Sequence, residues 1–334
     1  MTLPLVVSLG DPAGVGPELI AQAWVEREGQ GLSPFFAVGG AGVIAAAAEA
    51  RGLSLPVRRI TDPAEASALF DTALPVLGDE DALYRPGKPS REGAALALAS
   101  LTRATAVALN GEAGAVVTGP IAKARLAEVG FAYPGQTEFV AAASAIAAED
   151  AVMMLAGPTL RTVPITVHAA LADVPGLLSV ELIRRRGAIV AAALERDFGI
   201  VHPRLAVAGL NPHAGEEGRF GDEEARIIAP AVAALRAAGI DATGPHPADA
   251  LFAPRARASY DVALCMYHDQ ALIPLKALDF DSGVNVTLGL PLVRTSPDHG
   301  TAFAIAGKRL ADAGATIAAI RMAAACAARR TGHW

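Results

Sequence analysis

The sequence predicts an α/β protein, with sheet sandwiched by helices and the chain divided into two lobes. Three observations carry that prediction. Short apolar runs alternate with longer alanine-rich stretches of helical spacing, which is the signature of strands alternating with helices. At 334 residues the chain exceeds the size at which single cores usually stop growing, so two lobes are expected. Finally, three apolar runs end in histidine: Val163–Val167 before His168, Leu205–Gly209 through Asn211-Pro212 before His213, and Asp261–Tyr267 before His268. Ligands of open parallel sheets bind outside the carboxyl ends of strands, so these runs aim chemistry at a cleft.

The elements follow in order. Leu5–Leu9 reads as a strand, and the glycine-rich Gly10–Gly16 turn leads to a helix near Pro17, a residue suited to a first helical position. Phe35–Val38 reads as a strand, Gly42–Arg51 as a helix and Pro56–Ile60 as a further strand, followed by a loop-rich region through Pro89. Ser90–Asn110 is an alanine-rich helix with Ser90 as N-cap and Gly111 as its stop. Ala115–Thr118 is a strand running through Gly119-Pro120 into a helix that carries Lys123. Then come a helix over Glu138–Ala147, strands over Ala151–Ala156 and Leu160–His168, a helix over Val180–Phe198 and a strand over Arg204–Gly209. Asp222–Ala238 is a helix whose acidic start suits the helix dipole. After Asp261–Gln270, the apolar runs Leu272–Leu275 and Val284–Leu288 read as strands or strand ends, and Ala315–Arg329 is the last helix. No Pro/Gly-rich linker marks a boundary, so the lobes are expected to interleave in sequence.

Bulk properties exclude several functions. A net charge of −6 argues against a general nucleic-acid or anionic-membrane surface. The basic run Arg184-Arg185-Arg186 falls inside a helical pattern and reads as a solvated face. No stretch reaches transmembrane length and no targeting segment is visible, so a cytoplasmic location is expected. Cys265 and Cys326 lack metal or redox spacing and read as buried thiols.

Seven histidines are present: His168, His202, His213, His246, His268, His299 and His333. For any one alone, a hydrogen-bonded structural role is the ordinary reading. Three at strand ends point instead toward metal, since three imidazoles with an open fourth position make a catalytic zinc arrangement. Asp249 and Asp269 could orient an imidazole or ligate metal, although Asp249 after Pro247 also suits a turn. Lys276 and Arg294, with Asn285 between them, stand among apolar runs where a basic side chain needs a partner; an acid or an anionic ligand would serve. Gly10–Gly16 is neither a dinucleotide fingerprint nor a P-loop. Gly119-Pro120 ahead of Lys123 and Gly135-Gln136-Thr137-Glu138 put backbone N–H groups at helix starts, a geometry that favours anions. Thr295–Ala302 reads as a polar loop that could wrap a nucleotide or simply connect elements.

Several stretches closely resemble the 4-hydroxythreonine-4-phosphate dehydrogenase family of pyridoxal phosphate biosynthesis: Gly10–Glu18, Val117–Lys123, Gly209–Glu216, Tyr267–Gln270 and Gly283–Pro291. The resemblance implies two α/β/α lobes with an interlobe cleft, like isocitrate and isopropylmalate dehydrogenases. Residues 1–132 with 300–334 would form the cofactor-side lobe, and 133–299 the metal and dimer-interface lobe. It implies a homodimer in which His168, His213 and His268 hold a divalent metal (zinc, magnesium or cobalt), one ligand crossing the interface. Substrate contacts would fall on Gln136, Thr137, Lys276, Asn285 and Arg294, with Asp249, Asp269 and Lys276 as catalytic candidates. His299, Gly300 and Thr301 would hold NAD or NADP.

The implied reaction oxidises 4-phosphooxy-L-threonine to 2-amino-3-oxo-4-phosphooxybutanoate, which decarboxylates to 3-amino-2-oxopropyl phosphate. The alternatives are a sister dehydrogenase of a phosphorylated sugar acid (4-phospho-threonate or erythronate), a zinc hydrolase or lyase, and a non-enzymatic binding protein. This chain departs from the family twice. Gln136 stands where a histidine is usual, and a carboxamide never carries charge. Ala304 replaces an acid that would cap a following helix.

Overall fold

The computed structural model describes residues 2–332; His333, one of the seven histidines, lies outside them. Among the described residues no helix is long and apolar enough to cross a membrane. By internal contact the chain forms two units, Met1–Ala148 with Leu290–Trp334, and Glu149–Gly289. Residues 133–148 and 290–299 therefore fall with the first unit.

In the first unit the strands are Leu5–Ser8 (β1), Phe35–Val38 (β2), Val57–Ile60 (β3), Leu74–Leu77 (β4), Val116–Thr118 (β5) and Arg294–Pro297 (β12). They lie in the order β3-β4-β2-β1-β5-β12, all parallel. β1, β2, β4 and β5 are buried along their whole length, as expected of parallel strands covered by helices. The Arg91–Leu109 helix begins at Ser90, whose hydroxyl accepts from the Gly93 amide, so the serine cap forms as expected. It packs on β1 and β2.

In the second unit the strands are Val152–Ala156 (β6), Arg161–Pro164 (β7), Leu205–Ala208 (β8), Ala242–His246 (β9), Val262–Cys265 (β10) and Val284–Leu288 (β11). Their order is β11-β6-β7-β10-β8-β9. β7, β10, β8 and β9 run parallel, and β6 is antiparallel to both neighbours. The Val180–Phe198 helix has the expected bounds, with Ser179 accepting from the Leu182 amide and Gly199 closing it in the left-handed region.

Several expectations are corrected. β7 and β10 stop at Pro164 and Cys265, short of their histidines, and His268 opens a helix that runs to Asp279. The run Leu272–Leu275 is helical, because Ala271, Leu272, Leu275 and Asp279 are buried at helical spacing; Pro274 inside the helix disguises this. The loop-rich region before Pro89 contains β4. β9 was hidden by Gly244 and Pro245, which its place at the end of the strand order tolerates. Thr295–Pro297, read as the start of a polar loop, belong with Arg294 to the buried strand β12, Arg294–Pro297. Ala304 is followed by turns, and the next helix begins only at Gly314, so no helix cap is lost there.

Candidate active site

The first unit brings Arg294, Thr118, Gln136 and Thr137 together. β12 lies beside β5, with Arg294 paired to Val116, and the helix Gln136–Ala143 presents its first turn to the guanidinium. Arg294 is buried, and its Nε and Nη2 donate to Thr118 Oγ1 at 3.1 and 2.7 Å. Nη2 also donates to Gln136 Oε1 at 3.0 Å, and Nη1 to Thr137 Oγ1 at 3.5 Å. Burial lowers the Arg294 pKa to about 10, against the opposing influence of Glu138. The group stays charged through neutral pH, but the energetic demand is plain: a desolvated cation beside a helix N-terminus is stabilised by a bound anion. Anion affinity through Arg294 should fall as pH climbs past about 10, where an ordinary arginine would still be charged.

Glycines allow the strand ends here to meet. A Cβ on Gly119 would come within 2.6 Å of the Ser8 carbonyl, and one on Gly10 equally close to the Pro120 carbonyl. The Gly119 amide donates to Ser8 Oγ at 3.1 Å, and the Asp11 amide to the Pro120 carbonyl at 2.8 Å. The loop carrying His299, Gly300 and Thr301 rests on the Gly10–Gly16 turn, since the Val15 amide donates to the Thr301 carbonyl at 3.0 Å. His299 Nδ1 lies 3.0 Å from the Gly300 carbonyl, while its Nε2 is buried with no hydrogen-bond partner among the described residues.

In the second unit, the parallel neighbours β7, β10 and β8 deliver His168, His268 and His213 from adjacent carboxyl ends. Hydrogen bonds stitch the three turns together. Thr166 donates from its amide and hydroxyl to the Met266 carbonyl; Gln270 accepts from the Met266 amide at 2.6 Å and donates to the Gly209 carbonyl at 2.7 Å. Gln270→Ala should therefore cost about 1–3 kcal/mol of unfolding stability, read as a lower urea midpoint, because two buried backbone groups lose their partner.

His213 begins a left-handed turn: every residue from His213 to Glu217 has positive φ. Such a conformation costs of the order of 1–2 kcal/mol per non-glycine residue and persists only where its surroundings impose it. The buried Glu224 does so in part, accepting from the Leu210 and Asn211 amides at 2.8 and 2.7 Å.

The His168 and His268 rings lie 6.1 Å apart, and the His213 ring is 6.1 Å from that of Phe220. Among the described residues no three His, Cys, Asp or Glu side chains of this one chain are grouped for metal. The donor chemistry still fits a divalent ion. His268 Nδ1 is 2.7 Å from Asp269 Oδ1, which leaves Nε2 as the ligating atom, the usual carboxylate–histidine pairing of metal sites.

Asp249 is exposed on the short helix Ala248–Leu251. Lys276 stands seven residues after Asp269, on the same helix face about 10 Å further along. Asn285 lies on β11 with its Oδ1 buried and without a hydrogen-bond partner among the described residues. Sequence reasoning passed over Thr118, Gln270 and Glu224. Thr118 ends an apolar strand run and Gln270 lies just beyond one, whereas Glu224 opens a helical segment with nothing local to mark it.

The fold and these two residue sets define an α/β enzyme of the kind that handles small anionic molecules. The model of the family described as pyridoxal phosphate biosynthetic protein PdxA matches residues 32–323. The chain belongs to that family. It is 63% identical over 327 residues to the 4-hydroxythreonine-4-phosphate dehydrogenase of Erythrobacter litoralis, covering 98% of this chain and 97% of the relative. It is 54% identical to the enzyme of the same name from Zymomonas mobilis, covering 99% of this chain and 97% of that one. Among solved structures, the Klebsiella pneumoniae 4-hydroxythreonine-4-phosphate dehydrogenase matches with a TM-score of 0.87 and 39% identity over 98% of each chain. A terephthalate 1,2-cis-dihydrodiol dehydrogenase from Burkholderia xenovorans matches with a TM-score of 0.65 and 29% identity over 99% of each chain.

Proposed function

We propose that this chain oxidises the C3 hydroxyl of 4-phosphooxy-L-threonine, passing hydride to NAD or NADP and releasing a proton. The resulting β-keto acid loses CO2 to give 3-amino-2-oxopropyl phosphate. The observation that carries this reading is the buried Arg294 at the start of the Gln136–Ala143 helix, which suits an anionic end of the substrate. Thr137 would complete that end, while Lys276 and Asn285 would hold the remaining polar groups. A divalent cation held by His168, His213 and His268 would supply Lewis-acid polarisation of the hydroxyl. Asp269 would keep His268 in the ligating tautomer, and Asp249 would take up the released proton. A homodimer of the cytoplasm, sharing the metal ligands between subunits, fits the exposed apolar Ile273 and Leu278 on the helix that begins at His268 and Phe280 at its C-cap.

The dinucleotide would lie against His299, Gly300 and Thr301. A Cβ on Gly14 would stand 2.7 Å from the Thr301 carbonyl, so Gly14→Ala must displace this loop. We expect its KM for the dinucleotide to rise about tenfold or more, with the substrate KM unchanged.

The related reading is a sister dehydrogenase of a phosphorylated sugar acid, favoured by the uncharged Gln136. An NADH absorbance assay decides between them: 4-phosphooxy-L-threonine beside 4-phospho-threonate and 4-phospho-erythronate, each with and without chelator. Turnover of 4-phosphooxy-L-threonine, abolished by chelator, is expected. Turnover of the sugar acids alone would overturn the reading, as would turnover indifferent to chelator.

A further inference from the structure

Gln136 uses both ends of its carboxamide inside the protein. Oε1 accepts from Arg294 Nη2 at 3.0 Å and Nε2 donates to the Gly119 carbonyl at 2.8 Å. The opposite amide orientation would set donors against the guanidinium and an oxygen against a carbonyl, so the chemistry of the two partners fixes it. Gly119 is itself held by Ser8, whose backbone carbonyl and Oγ both accept from the Gly119 amide at 3.1 Å. A chain of hydrogen bonds thus runs from the end of β1 through Gly119 and Gln136 to the guanidinium on β12.

We infer that Gln136 is a positioning residue, which ties the Arg294 guanidinium to the Gly119 carbonyl and so sets the geometry of the anion subsite at every pH. This rests on the reading that Arg294 receives the anionic end of the substrate. A carboxamide keeps its acceptor oxygen whatever the pH. An imidazole in its place loses its acceptor on protonation and then presents a cation to Arg294. Across neutral pH, the substrate KM of this chain therefore follows the ionisation of the substrate phosphate, near pH 6, and no side chain of the clamp.

The test is steady-state kinetics from pH 6 to 8.5 on Gln136→Ala, Gln136→His, Arg294→Lys, Arg294→Ala and the Gln136→Ala/Arg294→Lys double variant, with thermal melting as the check on folding. Gln136→Ala should raise the substrate KM about tenfold, the worth of one hydrogen bond to a charged group, with kcat within about twofold. In the Arg294→Lys background the same change should add less than about twofold, because the clamp no longer has its fork to hold. The Gln136→His variant gives the sign. Its KM relative to the unaltered protein should grow as pH falls from 8 to 6, because protonation breaks the clamp.

A ratio that shrinks over the same interval would mean that the new imidazolium contacts the anion directly, and the positioning role would be wrong. Full additivity in the double variant would overturn it too. Arg294→Ala separates the two claims: an unchanged KM there sinks the anion subsite itself, whereas a raised KM with additive Gln136 effects sinks only the positioning role. Calorimetric titration of inorganic phosphate into the same variants repeats the comparison without turnover, and Gln136→His carries the test if the alanine variant does not fold.

Discussion

Arg294→Ala is expected to lower kcat/KM for the phosphorylated substrate by roughly a thousandfold, the scale for removing one partner of a buried, hydrogen-bonded charge pair. The loss should fall mainly on KM, because in the proposed reading this group would bind the unreacting end of the substrate. Arg294→Lys keeps the charge but loses the fork that meets Thr118 and Gln136, so it should recover only part of the loss. The free protein should keep its stability in the alanine variant. Burial already opposes this charge, so relief of its desolvation offsets much of what Thr118, Gln136 and Thr137 lose with their donor. Kinetics of both variants beside urea unfolding would check this. A KM within twofold of the original in a folded Arg294→Ala protein would exclude the residue from the anion site.

The Arg294 contact also marks how far the sequence could be read. That Arg294 needed a partner followed from a basic residue among apolar runs. Which partner could not follow, because Gln136 and Thr118 lie 158 and 176 residues away, Thr118 meeting it through the pairing of β12 with β5 and Gln136 from the start of the Gln136–Ala143 helix. Local rules performed well where the deciding physics is local. Ser90 and Ser179 cap their helices because a serine oxygen before a helical pattern has a backbone amide within reach.

Local rules failed where tertiary burial overrides composition. Thr295 and Ser296 are polar yet sit in a fully buried strand, with the Thr295 hydroxyl donating to the Ala319 carbonyl. The apolar run at Leu272–Leu275 reads as a strand or strand end by composition, but burial of one helical face sets it in a helix despite Pro274. The three histidines still follow the ends of adjacent strands although β7 and β10 stop early, because adjacent parallel strands share a carboxyl end.

That shared end leads to the largest expected effect. His268→Ala and His213→Ala should each lose turnover by about 10⁴-fold or more and fail to retain metal, because a site of three imidazoles cannot hold an ion on two at ordinary affinity. Metal content after desalting is the direct readout, with circular dichroism to show that the fold is kept. Asp269→Asn should be milder, weakening metal binding about 10- to 100-fold, since it removes the charge of the partner of His268 Nδ1 while leaving the imidazole in place. Sharing of ligands between subunits has its own signature. His168→Ala and His268→Ala chains, inactive separately, should regain about a quarter of the original activity when mixed and reassembled. Half the dimers would then be mixed, and each mixed dimer would hold one complete site of two. No recovery, in mixtures shown to contain the mixed dimer, would mean that His168 and His268 of one chain serve the same ion.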